Sequence, residues 1–130
     1  MNLYGEMSKR FPEVSDAIQQ YEDLPYVLMG QLASWVAKKK PQELTPELIS
    51  RIVEFAKWCE EQPRDETAED DLFTILVVGF YESLFKSDTT RLLLPKLILR
   101  EDIVYNAEYI KTWVGEENYN KALALYGSNT

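Results

Sequence analysis

Leu72-Phe73-Thr74-Ile75-Leu76-Val77-Val78-Gly79-Phe80-Tyr81 is the stretch on which the fold turns. Its β-branched residues suit a buried strand, and its nearly unbroken apolar character suits a buried helix equally well. Length decides between them. Continued through Glu82-Ser83-Leu84-Phe85-Lys86, and started at Thr67 or Asp65 as a cap, the segment is far longer than a strand. Leu72, Leu76, Phe80 and Leu84 then fall in a four-step row, which predicts a central helix surrounded by others. Gly79 within it is expected to permit close packing against a neighbouring helix.

The flanking segments read the same way. Upstream, Thr45-Pro46-Glu47 joins an N-cap to a first-turn proline and an acid, with Leu48, Ile52, Phe55 and Cys59 following on one face. Before it, Leu24-Pro25 opens a helix carrying Leu28, Leu32, Trp35 and Val36, closed by Lys38 to Lys40 and stopped at Pro41. Phe11 to Tyr21 reads as a short helix, with Pro12 at its start and Glu13 and Asp16 toward the positive end of its dipole. Downstream, Ser87 to Thr90 offers caps for a helix kinked at Pro95, and a longer helix after Arg100 carries Ile103, Ala107, Ile110 and Val114 before Gly115 stops it. Glu116 to Tyr126 forms the last helix, with Leu123 and Tyr126 docking. No segment alternates with hairpin chemistry. The expectation is one all-α domain over residues 1–130, a compact bundle of six to eight helices, with stacked helical hairpins as a variant of that architecture.

Composition narrows the function. With 130 residues, 45% of them apolar and 28% charged, the chain can bury a core without disulfides or metals. Lys and Arg number 14 against 22 Asp and Glu, a net charge of −8, so nucleic acid and anionic membranes are repelled. Histidine is absent and Cys59 is the only cysteine, read as a buried inert thiol on the helix after Thr45. No serine therefore has a histidine base, and the five scattered glycines make no phosphate loop. The first ten residues lack the order of a signal peptide, and the longest apolar run is about half of a membrane span, so a cytoplasmic protein is expected.

Carboxylates are the remaining chemical resource. Asp65-Glu66-Thr67-Ala68-Glu69-Asp70-Asp71 is the densest cluster, and it suits either the first turn of a helix or a patch that steers a basic protein into contact. Asp65, Glu66, Glu69, Asp70 and Asp71 are the candidate partner-binding residues, and Glu13, Asp16, Glu22 and Asp23 offer a second acidic stretch. Glu13 with Asp16, and Glu66 with Glu69, are three apart and so share a helix face. Such pairs leave open a carboxylate-dependent metal enzyme acting on nucleotides, although no basic residues sit in a phosphate-gripping arrangement. Trp35, Trp58 and Trp113 are expected in the core; Tyr105, Tyr109 and Tyr119 are the aromatic candidates for exposed contact.

Phe11-Pro12-Glu13-Val14, Leu24 to Val36, the acidic turn leading into Leu72 to Leu84, and Leu92-Leu93-Leu94-Pro95-Lys96-Leu97 together resemble a family of small acidic all-helical bacterial proteins of unassigned activity. Its members are similar to immunity proteins of toxin and immunity pairs, including those of contact-dependent growth inhibition. The resemblance implies a cytoplasmic, non-enzymatic inhibitor that neutralises a cognate, basic toxin domain, with no cofactor and no metal. A structural or adaptor domain is the other non-enzymatic alternative.

Overall fold

In the computed structural model, which describes residues 2–67 and 70–126, every regular element among those residues is helical. The first helix, α1 (Leu3–Arg10), is one the sequence reading did not place. Its signals are local: Asn2 Oδ1 accepts from the Gly5 amide at 2.8 Å, and Glu6 pairs with Arg10 at 2.7 Å across the helix. Leu3, Met7 and Phe11, four apart, are all buried. Between Phe11 and Tyr21, 3-10 turns (Pro12–Val14 and Gln19–Tyr21) flank α2 (Ser15–Ile18). Helices α3 (Pro25–Ala37) and α4 (Pro46–Glu61) follow as expected, the latter capped by Thr45 Oγ1, which accepts from the Leu48 amide at 3.2 Å.

The decisive stretch is helical but starts later than expected. α5 (Leu72–Leu76) runs without a break into a π turn (Val77–Tyr81) and α6 (Glu82–Leu84). Asp71, not Thr67 or Asp65, is the N-cap, so the acidic residues precede the helix instead of filling its first turn. In an α-helix a four-residue step overshoots a full turn by about 40°, so a straight four-step row drifts around the rod. The π turn, one residue wider, takes that drift back, and Leu72, Leu76, Phe80 and Leu84 are all buried. The rod also has an outer side, where Val78 is exposed.

After the rod come α7 (Asp88–Arg91), α8 (Leu94–Leu97), α9 (Arg100–Tyr105), α10 (Ala107–Val114) and α11 (Glu116–Ala124). The single helix expected from Arg100 to Gly115 is divided at Asn106. There the side-chain amide donates to the Asp102 carbonyl at 2.8 Å, a local bond that competes with the helical pattern. Gly115 ends α10 with φ of +90°, a backbone conformation natural only to glycine. With α5 and α6 counted as one rod and α9 and α10 as one divided helix, nine helices stand among the described residues, and the all-α bundle is as expected.

α3 and the rod from Leu72 to Leu84 form the central pair, α3 also meeting α1 and α7, and the rod meeting α4 and α10. At Gly79 a Cβ would lie 2.6 Å from Met29 Cβ, which explains the glycine: here the rod and α3 touch almost backbone to backbone. The buried apolar side chains form one contiguous cluster spanning α1 through Tyr126, whose hydroxyl donates to the Ile98 carbonyl at 2.9 Å. No helix among the described residues is long and apolar enough to cross a membrane.

Candidate functional site

The acidic loop divides into a buried anchor and exposed neighbours. Asp71 is only 2% exposed, which removes it from the set of contact residues expected at this loop. Its carboxylate accepts from Arg64 Nε at 2.9 Å and Nη2 at 2.8 Å, from the Asp65 amide at 3.0 Å, and from Thr74 Oγ1 at 2.6 Å. These donors, Arg64 foremost, hold its pKa far below the usual carboxylate range. The loop's two flanks are thereby tied together. Asp65, Glu66 and Asp70 are exposed, and none has a cationic partner among the described residues. Glu69 lies outside the described residues.

The expected carboxylate pairs do not come together as metal ligands. Glu13 accepts from Arg51 Nη1 at 2.8 Å and Nη2 at 2.7 Å, and this bidentate contact lowers its pKa to about 2. Among the described residues no three acids or cysteines converge at ligating distance. Cys59 is fully buried, and burial pushes its thiol up to about 12, so it sits as an inert apolar group.

The aromatic expectations divide. Tyr105 and Tyr109 are exposed as expected, whereas Tyr119 is buried in α11. Trp35 packs edge-on against Phe11 and Trp58 stacks on Phe55, both partly buried. Trp113, expected in the core, is 61% exposed. Val114, on the expected row of Ile103, Ala107, Ile110 and Val114, is the buried residue of α10, and Trp113 lies one position round the helix, beside the exposed Tyr109.

A second acid-bearing feature arises that no single segment announces. A cavity of about 580 Å³ lies between the rod and the α8–α10 segment, its apolar wall including Phe73, Val77, Phe85, Ile103 and Ile110. Glu60, Glu82 and Asp102 also line it, and no lysine or arginine does. None of these three carboxylates is ion-paired among the described residues. Tyr81 donates to Glu60 Oε1 at 2.8 Å, and Tyr109 donates to Glu82 Oε2 at 2.7 Å. Burial, reinforced by the acceptor carboxylate, raises both phenols, Tyr109 to about 12 and Tyr81 further. Arg64 lies over Phe73 at 4.8 Å, but its charge is committed to Asp71. Sequence reasoning missed this site because its acids come from α4, α6 and α9, which only packing brings to one cavity. With this geometry in view, the chain matches no protein-family model, no curated protein and no solved structure.

Proposed function

We propose that this chain is a non-catalytic inhibitor of the immunity type, which binds a basic toxin domain in the cytoplasm through its acidic surface and occludes the toxin's active cleft. One observation carries the chemistry. Asp65, Glu66 and Asp70 stand exposed and without cationic partners among the described residues, on a loop whose flanks are fastened by Asp71. Carboxylates held in place lose little freedom when a basic surface arrives, and a charge of −8 accelerates the encounter. The toxin itself comes from the family resemblance of Phe11 to Val14, Leu24 to Val36 and Leu92 to Leu97.

The test uses a charge-reversed protein, Asp65→Lys with Glu66→Lys and Asp70→Lys, leaving Asp71 in place so that the loop keeps its anchor. A partner captured at low salt from a bacterial lysate is purified and its activity titrated with each protein. The expected result is stoichiometric inhibition by the parent and association slowed about tenfold or more in the variant, with the gap closing as salt rises. Equal inhibition at equal rates by both proteins would overturn the loop as the contact, and a captured partner that the parent does not inhibit would overturn the inhibitor reading.

A further inference from the structure

We infer that the cavity lined by Glu60, Glu82 and Asp102 is the anchor site for a lysine or arginine side chain on an amphipathic segment of the partner protein. This rests on the reading of the chain as a binder of basic proteins and says where the binding energy concentrates. The cationic head is drawn to the negative lining that these carboxylates provide, while its aliphatic stem and an apolar neighbour lie on Val77, Phe73 and Ile110.

Charge complementarity names the occupant. Glu60, Glu82 and Asp102 give the cavity a negative lining, which a cation complements. The lining supplies none, and no ion pair among the described residues neutralises them. The site is also preorganised. Tyr81 and Tyr109 each hold one oxygen of Glu60 and Glu82, which orients these side chains and leaves the second oxygen to accept from an incoming donor. The π turn forms part of the wall, placing Val77 and Tyr81 on the cavity, and such turns recur at functional sites.

The surroundings favour a side chain on a peptide over a free small cation. At the mouth, Leu99 is 62% exposed and Tyr109 44% exposed, and the Trp113 ring lies 6.2 Å from that of Tyr109. An exposed aromatic and aliphatic shelf gives the apolar face of a partner segment somewhere to rest, and tyrosine and tryptophan are the residues that anchor such contacts. A second copy of this chain is disfavoured by the repulsion between two bodies of charge −8.

The experiment titrates the full chain with three probes: a synthetic leucine–lysine amphipathic peptide, the same peptide with glutamate for lysine, and spermidine. Binding is followed by amide shifts across residues 97–113 and by sedimentation. The basic peptide is expected to bind as one copy per chain and to weaken as salt rises. It is expected to lose about tenfold or more in affinity when Glu60→Gln, Glu82→Gln and Asp102→Asn are combined. Ile110→Phe, which fills the cavity without changing charge, gives the same loss and guards against a variant that fails to fold. Glu54→Gln, an exposed acid outside both the loop and the cavity, leaves this binding unchanged. Absence of binding, equal affinity for the glutamate peptide, equal affinity for spermidine, or binding that survives both cavity variants would each overturn the proposal. So would self-association that blocks the cavity. The two readings separate cleanly: a partner still inhibited by the cavity variants keeps the inhibitor and loses the anchor, while peptide binding by a chain that inhibits no captured partner keeps the anchor and loses the inhibitor.

Discussion

Residues 3–61 and residues 72–126 use the same side-chain types in opposite ways. In the first region the arginines Arg10 and Arg51 are matched to Glu6, Glu13 and Glu47, and the aromatic residues Phe11, Trp35, Phe55 and Trp58 pack on one another. Only Leu24 and Val27 stand out there as exposed large apolar residues. In the second, Leu92, Leu99, Val104, Tyr105, Tyr109, Trp113 and Leu125 are exposed, and Glu60 at the boundary joins Glu82 and Asp102 around a cavity without a cation. The difference teaches where stability and availability lie. Groups satisfied inside the fold hold it together, and groups left unsatisfied at the surface can be matched from outside.

The comparison breaks most visibly at the aromatic residues. Phe55→Ala in the first region removes a fully buried ring and is expected to cost about 3–5 kcal/mol, whereas Trp113→Ala in the second is expected to stay within about 0.5 kcal/mol. Urea unfolding of the two variants measures both, and a loss of 2 kcal/mol or so at Trp113 would mean that its ring is structural.

The central pair comes next. Gly79→Ala must push the rod away from Met29 and is expected to destabilise by about 1–3 kcal/mol. Gly30→Ala, one residue further along α3 and with open space at its Cβ, is expected to stabilise by about 0.5–1 kcal/mol through helix propensity. If Gly79→Ala melts at the parent temperature, the close approach does not hold.

Asp71 and Asp70 sharpen the comparison at one-residue resolution. Asp71→Asn strips the anchor from Arg64, Asp65 and Thr74 and is expected to lower the melting temperature by about 5 °C or more. Asp70→Asn, exposed, should leave it unchanged. Equal melting of the two variants would return Asp71 to the set of free surface acids.

Proton linkage gives the smallest effects. Arg51 lowers Glu13 from 4.5 to about 2, so its contribution is complete above pH 4.5 and is lost as pH falls toward 2. Glu13→Gln should flatten that limb by less than about 1 kcal/mol, because the pair is half exposed and screened. In alkali the sign reverses. Tyr109 is raised from 10.0 to about 12, so its contribution is present below pH 10 and lost as pH climbs toward 12. Replacing the carboxylate by Glu82→Gln should bring the phenol part of the way back toward 10 in a spectrophotometric titration, burial keeping the rest of the shift.

Much of this fold was legible from one dimension. The row Leu72, Leu76, Phe80 and Leu84, the Thr45 cap with its helix to Cys59, and the stop at Gly115 are all patterns with local causes: side-chain spacing, a hydroxyl near an amide, a residue free to adopt positive φ. So was the close packing at Gly79, because a glycine amid large apolar residues has few other uses. What the chain could not announce depends on how rods are turned against one another. The π turn answers the need to keep four buried residues on one face, the break at Asn106 divides what periodicity reads as one helix, and the burial of Asp71 depends on Arg64 folding back over seven residues. The cavity follows the same rule, since Glu60, Glu82 and Asp102 share it only after three helices have packed. Sequence by itself determined an acidic, all-helical chain and most of its helices, because propensity, capping and periodicity act over one or two turns. Tertiary structure alone decided which acids are anchors, which are exposed and which face a cavity, because burial and charge pairing are sums over neighbours distant along the chain.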